Sequence, residues 1–153
     1  MSFLDLKVPP PLIALLVGLA MWFAVPVGPA LHLGPATRYG IASAIGVAGL
    51  AFIISGLTGF RRAQTTTNPQ KPERASVLVT GGVYRLTRNP MYLGLCFLLT
   101  AWAVLLSAGL LFLGPFIFAL YITRFQIRPE ERTLSRIFGQ EYADYMSRVR
   151  RWL

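Results

Sequence analysis

Four long apolar runs constrain the fold of this chain more than any other feature of its sequence. They cover about residues 12–32, 39–60, 90–107 and 110–127, and each has a length within the range of about 17 to 25 residues that a membrane-spanning helix needs. Charged residues make up only 14% of the 153 residues, whereas soluble proteins contain about 25%. The sequence therefore predicts an all-α integral membrane protein in which residues 1–153 form a single domain with four transmembrane helices.

Glycine and proline residues indicate where these runs turn or break. Pro26, Gly28 and Pro29 interrupt the first run, so its outer end is expected to be kinked or non-helical. Only about two residues, Ala108 and Gly109, separate the third run from the fourth. We therefore expect the third and fourth helices to form a tight antiparallel hairpin.

The second run is rich in small residues. Gly40, Ala44 and Ala48 recur at intervals of four residues and would share one helix face. Small residues at this spacing let helices pack closely in lipid. This face therefore predicts close helix packing, either within the chain or at the interface of a homodimer.

The polar remainder of the chain comprises a loop at residues 61–89 and a tail at residues 128–153. In the tail, Pro129 followed by two glutamates is typical of a helix start. Apolar residues then recur at helical spacing on both sides of Gly139, namely Leu134, Ile137, Phe138, Tyr142, Tyr145, Met146 and Val149. The tail is therefore predicted to form an amphipathic helix, or a pair of helices, at the membrane surface.

The basic residues are distributed unevenly between the two sides of the predicted membrane domain. With four spans and both termini on one side, that side carries 14 of the 15 lysine and arginine residues, and only Arg38 lies opposite. Basic residues accumulate on the cytoplasmic side of membrane proteins, so the loop, the tail and both termini are predicted to be cytoplasmic. A net charge of +9 would suggest nucleic-acid binding in a soluble protein. Here the position of the charge indicates a membrane surface instead, and no nucleic-acid partner is predicted.

This topology brings two polar stretches together at the inner ends of the third and fourth helices. One is TGGVYRLTRNPMYLG at residues 80–94, and the other is RPEER at residues 128–132. Together with the preceding turn they gather aromatic, cationic and carboxylate side chains: Tyr84, Tyr92, Arg85, Arg88, Arg124, Arg128, Glu130 and Glu131. Such a set could hold a zwitterionic cofactor from the cytoplasm and an amphiphile from the bilayer. A basic juxtamembrane loop with interfacial tyrosines is the simpler alternative.

The sequence lacks the residues of several common chemistries. His32 is the only histidine and falls on the opposite side, so neither a metal site nor a Ser-His-Asp triad is indicated. The phosphate-binding motif GxxxxGK followed by serine or threonine is also absent. The remaining interpretation is chemistry in which a cofactor supplies the reactive group while the protein provides placement, charge and exclusion of water.

Two motifs in this order resemble a known family. Residues 77–94, VLVTGGVYRLTRNPMYLG, contain the pattern G-x-Y-x-x-x-R-H/N-P-x-Y-x-G. Residues 128–150, RPEERTLSRIFGQEYADYMSRVR, contain the pattern E-E-x-x-L-x-x-x-F-G-x-x-Y-x-x-Y. With the hydrophobic hairpin between them, they cover about residues 76–150 and resemble the membrane methyltransferases of the isoprenylcysteine carboxyl methyltransferase and phospholipid methyltransferase group.

The resemblance implies S-adenosylmethionine as the cofactor, bound on the cytoplasmic side beneath the hairpin. Residues that match the cofactor-binding positions of the family would form the cofactor pocket: Ser76, Val77, Leu78, Val79, Tyr84, Arg88, Asn89, Pro90, Met91, Tyr92 and Glu131. Glu130 would order the site near the methyl acceptor. Family members place an arginine about one turn before this glutamate, where this chain has Gln126, and the flanking Arg124 and Arg128 are the candidates for that catalytic role. Gln126, Glu130 and Arg148 would contact the substrate.

The resemblance leaves the methyl acceptor open. Asparagine at position 89, where eukaryotic members carry histidine, and the short chain favour a bacterial inner-membrane protein, which argues against a prenylated protein as the acceptor. A lipid head-group amine, an isoprenoid-like carboxylate and a small hydrophobic thiol remain as alternatives, and a homodimer could complete the site. The competing hypothesis is a non-enzymatic membrane scaffold whose basic face binds anionic lipid.

Overall fold

The computed structural model describes residues 5–64 and 77–153, and within these ranges the regular structure is helical. The α-helices are α1 (Pro10–Phe23), α2 (Pro35–Arg62), α3 (Pro90–Leu106), α4 (Leu113–Ile122) and α5 (Arg128–Arg148). The described residues contain no β-strand, so the predicted all-α class is confirmed. Ser76 and residues 65–75 of the predicted loop lie outside the described residues.

Proline opens three of these helices, in the first turn, where its missing N–H costs no hydrogen bond. α1 begins at Pro10, α2 at Pro35 and α3 at Pro90. α1 ends at Phe23, and a short 3-10 turn follows at Val25–Val27. The predicted break at the outer end of the first apolar run is therefore confirmed.

Two helical stretches in the described part of the chain are long and apolar enough to cross a membrane. They are α2, with 28 residues, and the continuous helix Gly109–Arg148, with 40 residues. α1 and α3 are apolar but shorter, with 14 and 17 residues, against the roughly 20 residues that a full crossing needs. These lengths fit a membrane protein, and the four-span arrangement stays a prediction.

α2 packs closely against α3 through small residues. Gly49 and Gly56 of α2 are buried, and a Cβ atom on Gly94 of α3 would lie 2.5 Å from the carbonyl oxygen of Gly49. The two backbones therefore touch at this point. Gly40 and Ala44 are exposed, so the face that packs within the chain is the one with Gly49 and Gly56, and a homodimer interface on the exposed face stays a prediction.

Gly94→Ala is expected to destabilise the fold by about 1–3 kcal/mol, the usual cost of overpacking a helix contact. The added methyl group would also lie 2.6 Å from the Ile53 side chain, and no side-chain rotation relieves its overlap with the Gly49 carbonyl. Gly40→Ala is the matched control, because a Cβ atom there meets nothing within 4 Å. Thermal unfolding of both purified variants in detergent tests the prediction, and equal melting temperatures would contradict it.

On its other side, α3 packs against α1 and α4 in a hydrophobic core. Phe118 and Ile122 of α4 and Ala103 of α3 are fully buried, and Met21 is contributed by α1. Gly114 leaves room for the Met21 side chain, which a Cβ atom would overlap. α3 is thus the central helix, with α2 on one side and α1 and α4 on the other.

The connection between α3 and α4 is as short as predicted. Ser107 ends α3 in the left-handed conformation, with φ 52° and ψ 39°, and a 3-10 turn at Gly109–Phe112 leads into α4. The loop after α1 packs on this turn, because the backbone N–H of Leu31 donates to the Ser107 carbonyl at 2.7 Å. The tight hairpin is confirmed.

α4 and α5 form one continuous helix, joined by a π-helical turn at Thr123–Ile127. The prediction that a separate helix starts at Pro129 is therefore wrong, since Ile127 already has helical dihedrals, with φ −67° and ψ −49°. The wider π turn suits a proline that lacks an N–H donor. The predicted interruption at Gly139 is confirmed by its non-helical φ of 50° and ψ of −121°.

Candidate active site

A small cavity lies where the end of α2, the start of α3 and the first turn of α5 meet. Its volume is about 30 Å³, and its lining combines aromatic, cationic, amide and carboxylate groups: Phe60, Tyr84, Arg88, Asn89, Pro90, Met91, Tyr92 and Glu130. Six of these residues belong to the predicted cofactor set, and Glu130 is the predicted catalytic carboxylate. The structure therefore brings side chains of both sequence motifs to one place.

Tyr92 and Glu130 form the polar centre of this cavity. The Tyr92 hydroxyl donates a hydrogen bond to Glu130 Oε2 at 3.2 Å, and the side chain of the buried Gln126 hydrogen-bonds to the same hydroxyl. Glu130 follows the fourth apolar run and is partly buried. The pKa of its carboxyl group is raised to about 7, chiefly by burial and to a smaller extent by the negative charge of Glu131, while the hydrogen bond from Tyr92 acts in the opposite direction.

Glu131 points to the other side and is held by two arginines. Arg88 Nη2 donates to Glu131 Oε1 at 2.9 Å, while Arg151 donates through Nε at 3.0 Å and through Nη2 at 2.7 Å. The side chains of Arg88 and Glu131 are only 10% and 13% exposed. The hydrogen bonds to Glu131 also raise the pKa of Arg151. This arginine–carboxylate–arginine cluster fixes the Arg88 side chain beside the cavity.

The segment at residues 150–152 lies against the turn that precedes α3. The Asn89 side-chain amide donates to the Arg151 carbonyl at 2.9 Å, and the Thr87 hydroxyl donates to the same oxygen at 3.2 Å. The backbone N–H of Arg88 donates to the Arg150 carbonyl at 3.0 Å. Trp152 Nε1 adds a hydrogen bond to Thr123 Oγ1 at 3.2 Å. The end of the chain therefore closes the Arg88–Asn89 side of the site.

Sequence reasoning selected Arg148 from the end of the chain, but not Arg150, Arg151 or Trp152. Arg148, Arg150 and Arg151 read as one basic run, and its spacing does not say which side chain turns inward. The inward turn arises because Val149 leaves the helix in an extended conformation, with φ −123° and ψ 130°. The cluster of three arginines after the apolar stripe of the tail was the only sequence feature that could have indicated a role for the end of the chain in the site.

Tyr84 forms another wall of the cavity and is itself buried. Its ring meets the Phe60 ring edge to face, with centroids 5.4 Å apart, and its backbone carbonyl accepts a hydrogen bond of 2.7 Å from the Tyr145 hydroxyl. Burial and the nearby charge of Glu130 raise the pKa of the Tyr84 hydroxyl. Tyr84 therefore stays neutral and is held by both α2 and α5.

A second cavity of about 710 Å³ lies close to Tyr84. It is more polar and is lined by Ser55, Thr58, Gly59, Arg62, Ala63 and residues 78–83. A Cβ atom on Gly59 would lie 3.1 Å from the Tyr84 ring, so part of the lining of the large cavity is in contact with a residue that lines the small one. Leu78 and Val79 of the predicted cofactor set line this second cavity, whereas Val77 is exposed and lines neither.

The structure does not bring the remaining predicted arginines into either cavity. Arg124 is half-exposed, pairs with Asp5 at 3.7 Å and lies over the Phe125 ring at 5.1 Å. Arg128 and Arg148 are exposed, and Arg148 Nε donates to the Asp144 carbonyl at 3.1 Å. Gln126, which occupies the expected arginine position, is the residue that reaches the site.

Two further observations bear on what the site could bind. The Nε atom of Arg88 is buried and has no hydrogen-bond partner, and Arg88 lines the small cavity, so a ligand acceptor atom there would satisfy it. Within the described residues, no group of three or more His, Cys, Asp or Glu side chains could hold a metal ion. The arrangement suits a ligand with an acceptor group beside Arg88 and a reacting atom near Glu130.

Comparison with known proteins identifies the family. The family model of phospholipid methyltransferases matches residues 37–141, more than half of the chain. This segment runs from the start of α2 to the middle of α5 and contains every residue that lines the small cavity. No solved structure matches the chain.

Three relatives show similar segments. A methanethiol S-methyltransferase from Pseudomonas deceptionensis is 34% identical over 103 residues, which cover 64% of this chain and 37% of that protein. The protein-S-isoprenylcysteine O-methyltransferase of Saccharomyces cerevisiae is 38% identical over 85 residues, covering 52% of this chain and 33% of the yeast protein. An uncharacterized protein of Haemophilus influenzae is 49% identical over 63 residues, covering 41% of this chain and all of that protein.

The chain spans only about a third of the length of the two named methyltransferases. The family assignment does not depend on them, because the family model covers the whole of the first motif and the second motif as far as residue 141. The resemblance noted from the motifs is thus confirmed. The chain belongs to the phospholipid methyltransferase family.

Proposed function

We propose that this protein is a membrane methyltransferase that uses S-adenosylmethionine and methylates a lipophilic or small hydrophobic acceptor at the membrane interface. The observation that carries the proposal is the pairing of Glu130 with Tyr92 in a small cavity that has a larger polar cavity beside it. When bound, S-adenosylmethionine would supply a methyl group on a positively charged sulfur. The chain's own residues would position the reactants, exclude water and manage the proton.

The two cavities suit the two ends of this cofactor. The larger, with Arg62, Leu78 and Val79, has the volume that small-molecule sites usually show, about 300–1,000 Å³. The smaller would receive the end that carries the methyl group. Arg88, with its free Nε atom, would donate to an acceptor group of the cofactor, and the aromatic face of Tyr84 is suited to a positive charge.

Glu130 is suited to act as a general base. A thiol or an amine must lose a proton when it becomes methylated, and a carboxylate with a pKa of about 7 can accept that proton near neutral pH. Tyr92 and Gln126 would hold the carboxylate in place. An anionic acceptor carries no such proton and would be repelled by ionised Glu130, so the site favours a thiol or an amine over a carboxylate.

We also propose that the site faces the cytoplasm of a bacterial inner membrane. The support is the charge distribution in the sequence, with 14 of the 15 basic residues on the side of the loop and the tail. This orientation would give the site access to a water-soluble cofactor and to membrane-dissolved acceptors.

Binding of S-adenosylhomocysteine, the product form of the cofactor, tests the proposal directly. Calorimetric titration of the purified protein in nanodiscs is expected to show saturable binding that is lost in Tyr92→Ala. Tyr39→Ala is the matched control, because this tyrosine is exposed near the other end of α2. A folded sample that binds nothing in nanodiscs would contradict the proposal and favour the lipid-binding scaffold.

The rate of methyl transfer to a thiol or an amine is expected to rise with pH through about 7. The base is active when ionised, and Glu130 ionises as the pH passes its pKa of about 7. Tyr92→Phe is expected to move the midpoint to higher pH, because it removes the hydrogen bond that stabilises the carboxylate. The measurement is kcat/KM between pH 5.5 and 8. A flat profile in the wild type would rule out Glu130 as the base.

A further inference from the structure

The segment at residues 5–7, which we call the strap, supplies a hydrogen bond that the joined helix α4–α5 cannot form by itself. In an α-helix the Phe125 carbonyl would accept from the N–H of residue 129, but that residue is Pro129, which has none. The backbone N–H of Leu6 donates to the Phe125 carbonyl at 3.0 Å. The strap therefore satisfies an acceptor that the proline leaves without its α-helical donor.

The Asp5 carboxylate of the strap reaches to both sides of the same proline. It pairs with Arg124 at 3.7 Å and with Arg132 at 3.2 Å, so it bridges one residue before Pro129 and one after it. The Asp5 side chain is only 4% exposed, whereas the two arginine side chains are half-exposed. Because ion pairs to exposed groups contribute little to global stability, we assign to Asp5 the local placement of the strap.

The backbone of the strap has a conformation that needs support from its surroundings. Leu6 has a φ of 60°, in the left-handed region that residues other than glycine seldom adopt. Such a conformation persists where the surrounding contacts enforce it. The contacts around Leu6 include its own hydrogen bond to Phe125 and the ion pairs of the preceding Asp5. Loss of the Asp5 carboxylate is therefore expected to release the strap.

The turn that the strap holds carries two residues of the candidate site. Gln126 directly follows Phe125, is only 2% exposed and hydrogen-bonds to the Tyr92 hydroxyl. Glu130 directly follows Pro129 and accepts a hydrogen bond of 3.2 Å from the same hydroxyl. Because both side chains meet one hydroxyl group, any change in the turn would move them relative to it and to each other.

We propose that the strap positions Gln126 and Glu130 for methyl transfer by holding the π-helical turn in its present form. Asp5 and Leu6 are then positioning residues, and the proposal rests on the proposed function for the reaction itself. Neither of them lines the small cavity, so they act through the turn. The same contacts tie Arg124 to the site, although its side chain lies outside both cavities.

Asp5→Ala tests the proposal with protein in nanodiscs and with methanethiol, dodecanethiol and dodecylamine as probe acceptors. It is expected to lower kcat for the best of these probes by at least about tenfold, because small displacements of reacting groups cost much rate, and to leave Kd for S-adenosylhomocysteine within about twofold. Asp5→Glu keeps the charge and should recover most of the lost rate. The matched control is Asp144→Ala, because Asp144 is exposed on α5, and its kcat should be unchanged. Equal kcat in the wild type and Asp5→Ala would overturn the proposal.

Pro129→Ala distinguishes positioning through the turn from general destabilisation. It supplies an N–H that can donate to the Phe125 carbonyl within the helix, so this bond no longer depends on the strap. In the Pro129→Ala background, Asp5→Ala is expected to lower kcat by less than about threefold, because the two changes act on one carbonyl group and are coupled. The same loss in both backgrounds would mean that Asp5 acts independently of the turn, which would overturn the proposal.

Amide hydrogen exchange separates this inference from the proposed function and decides the case in which Pro129→Ala is itself inactive. Amides of residues 123–130 are expected to exchange at least about tenfold faster in Asp5→Ala than in the wild type, while those of α3 are unchanged. If this pattern appears but the wild type methylates none of the three probes, the strap holds the turn and the proposed function fails. If a probe is methylated but residues 123–130 exchange equally in both proteins, the proposed function stands and the strap proposal is overturned.

Discussion

Glu130→Gln is expected to lower kcat/KM for a thiol or amine acceptor by at least about 100-fold, within the usual range for loss of a general base. Glutamine has nearly the same shape and can still accept the hydrogen bond that Tyr92 donates to Glu130 Oε2. It cannot accept the acceptor's proton, so the change isolates the chemical role of the carboxylate. The measurement is the initial rate of methyl transfer by purified protein in nanodiscs.

The matched control is Glu141→Gln, because Glu141 is exposed on the same helix. It should retain wild-type activity. Binding of S-adenosylhomocysteine should survive in Glu130→Gln, which would show that the pocket is intact. A Glu130→Gln enzyme within tenfold of the wild type would mean that another group takes the proton. Tyr92→Ala should abolish activity as well, since it removes both the hydrogen bond and a cavity wall.

The two sequence motifs predicted side chains that the structure brings together around one small cavity. Tyr84, Arg88 and Tyr92 belong to one short stretch whose glycines and proline fix a turn and a helix start. The hairpin of α3 and α4 then has little freedom, because only Ala108 lies between the left-handed Ser107 and the next 3-10 turn. A connection this short returns the chain to the start of α3, and this places Glu130 beside Tyr92.

The sequence did not reveal features that depend on where the chain goes after a helix ends. Arg151 joins the site because Val149 is extended and turns the last residues back onto Asn89. Helical spacing carries no information about such a turn. Prolines predicted a break at the outer end of the first apolar run, but hydropathy could not show that α1 already stops at Phe23.

Periodicity was ambiguous where many residues of one kind share a helix. α2 contains small residues at most turns, so spacings of four and of seven residues both select plausible faces. Only the contacts of Gly49 with Gly94 and of Gly56 with Met91 show that these two glycines form the buried face. The continuity of α4 with α5 was missed for a related reason, because a proline in a first turn marks a helix start only if the preceding residues are not already helical.

Glu131→Ala is expected to lower the free energy of unfolding by about 3 kcal/mol, as when one partner of a buried ion pair is removed. Glu131 is the shared partner of Arg88 and Arg151. Without it, two guanidinium groups would face each other with no counter-charge, and the Arg88 side chain is only 10% exposed. Because Arg88 lines the cavity, affinity for S-adenosylhomocysteine should fall as well. Thermal unfolding and calorimetric titration measure the two effects.

Three variants distinguish this cluster from ordinary surface charge. Glu141→Ala removes an exposed carboxylate from the same helix and should change stability by no more than about 0.5 kcal/mol. Arg151→Ala should cost less than Glu131→Ala, because Arg88 still pairs with the carboxylate and the Arg151 side chain is 34% exposed. The double variant of Glu131→Ala with Arg151→Ala should be more stable than the sum of the single effects predicts, because it removes one of the two facing cations. If the losses of unfolding free energy in the two single variants simply add up in the double variant, Glu131 and Arg151 act independently. In that case the end of the chain does not hold Arg88 in place through Glu131.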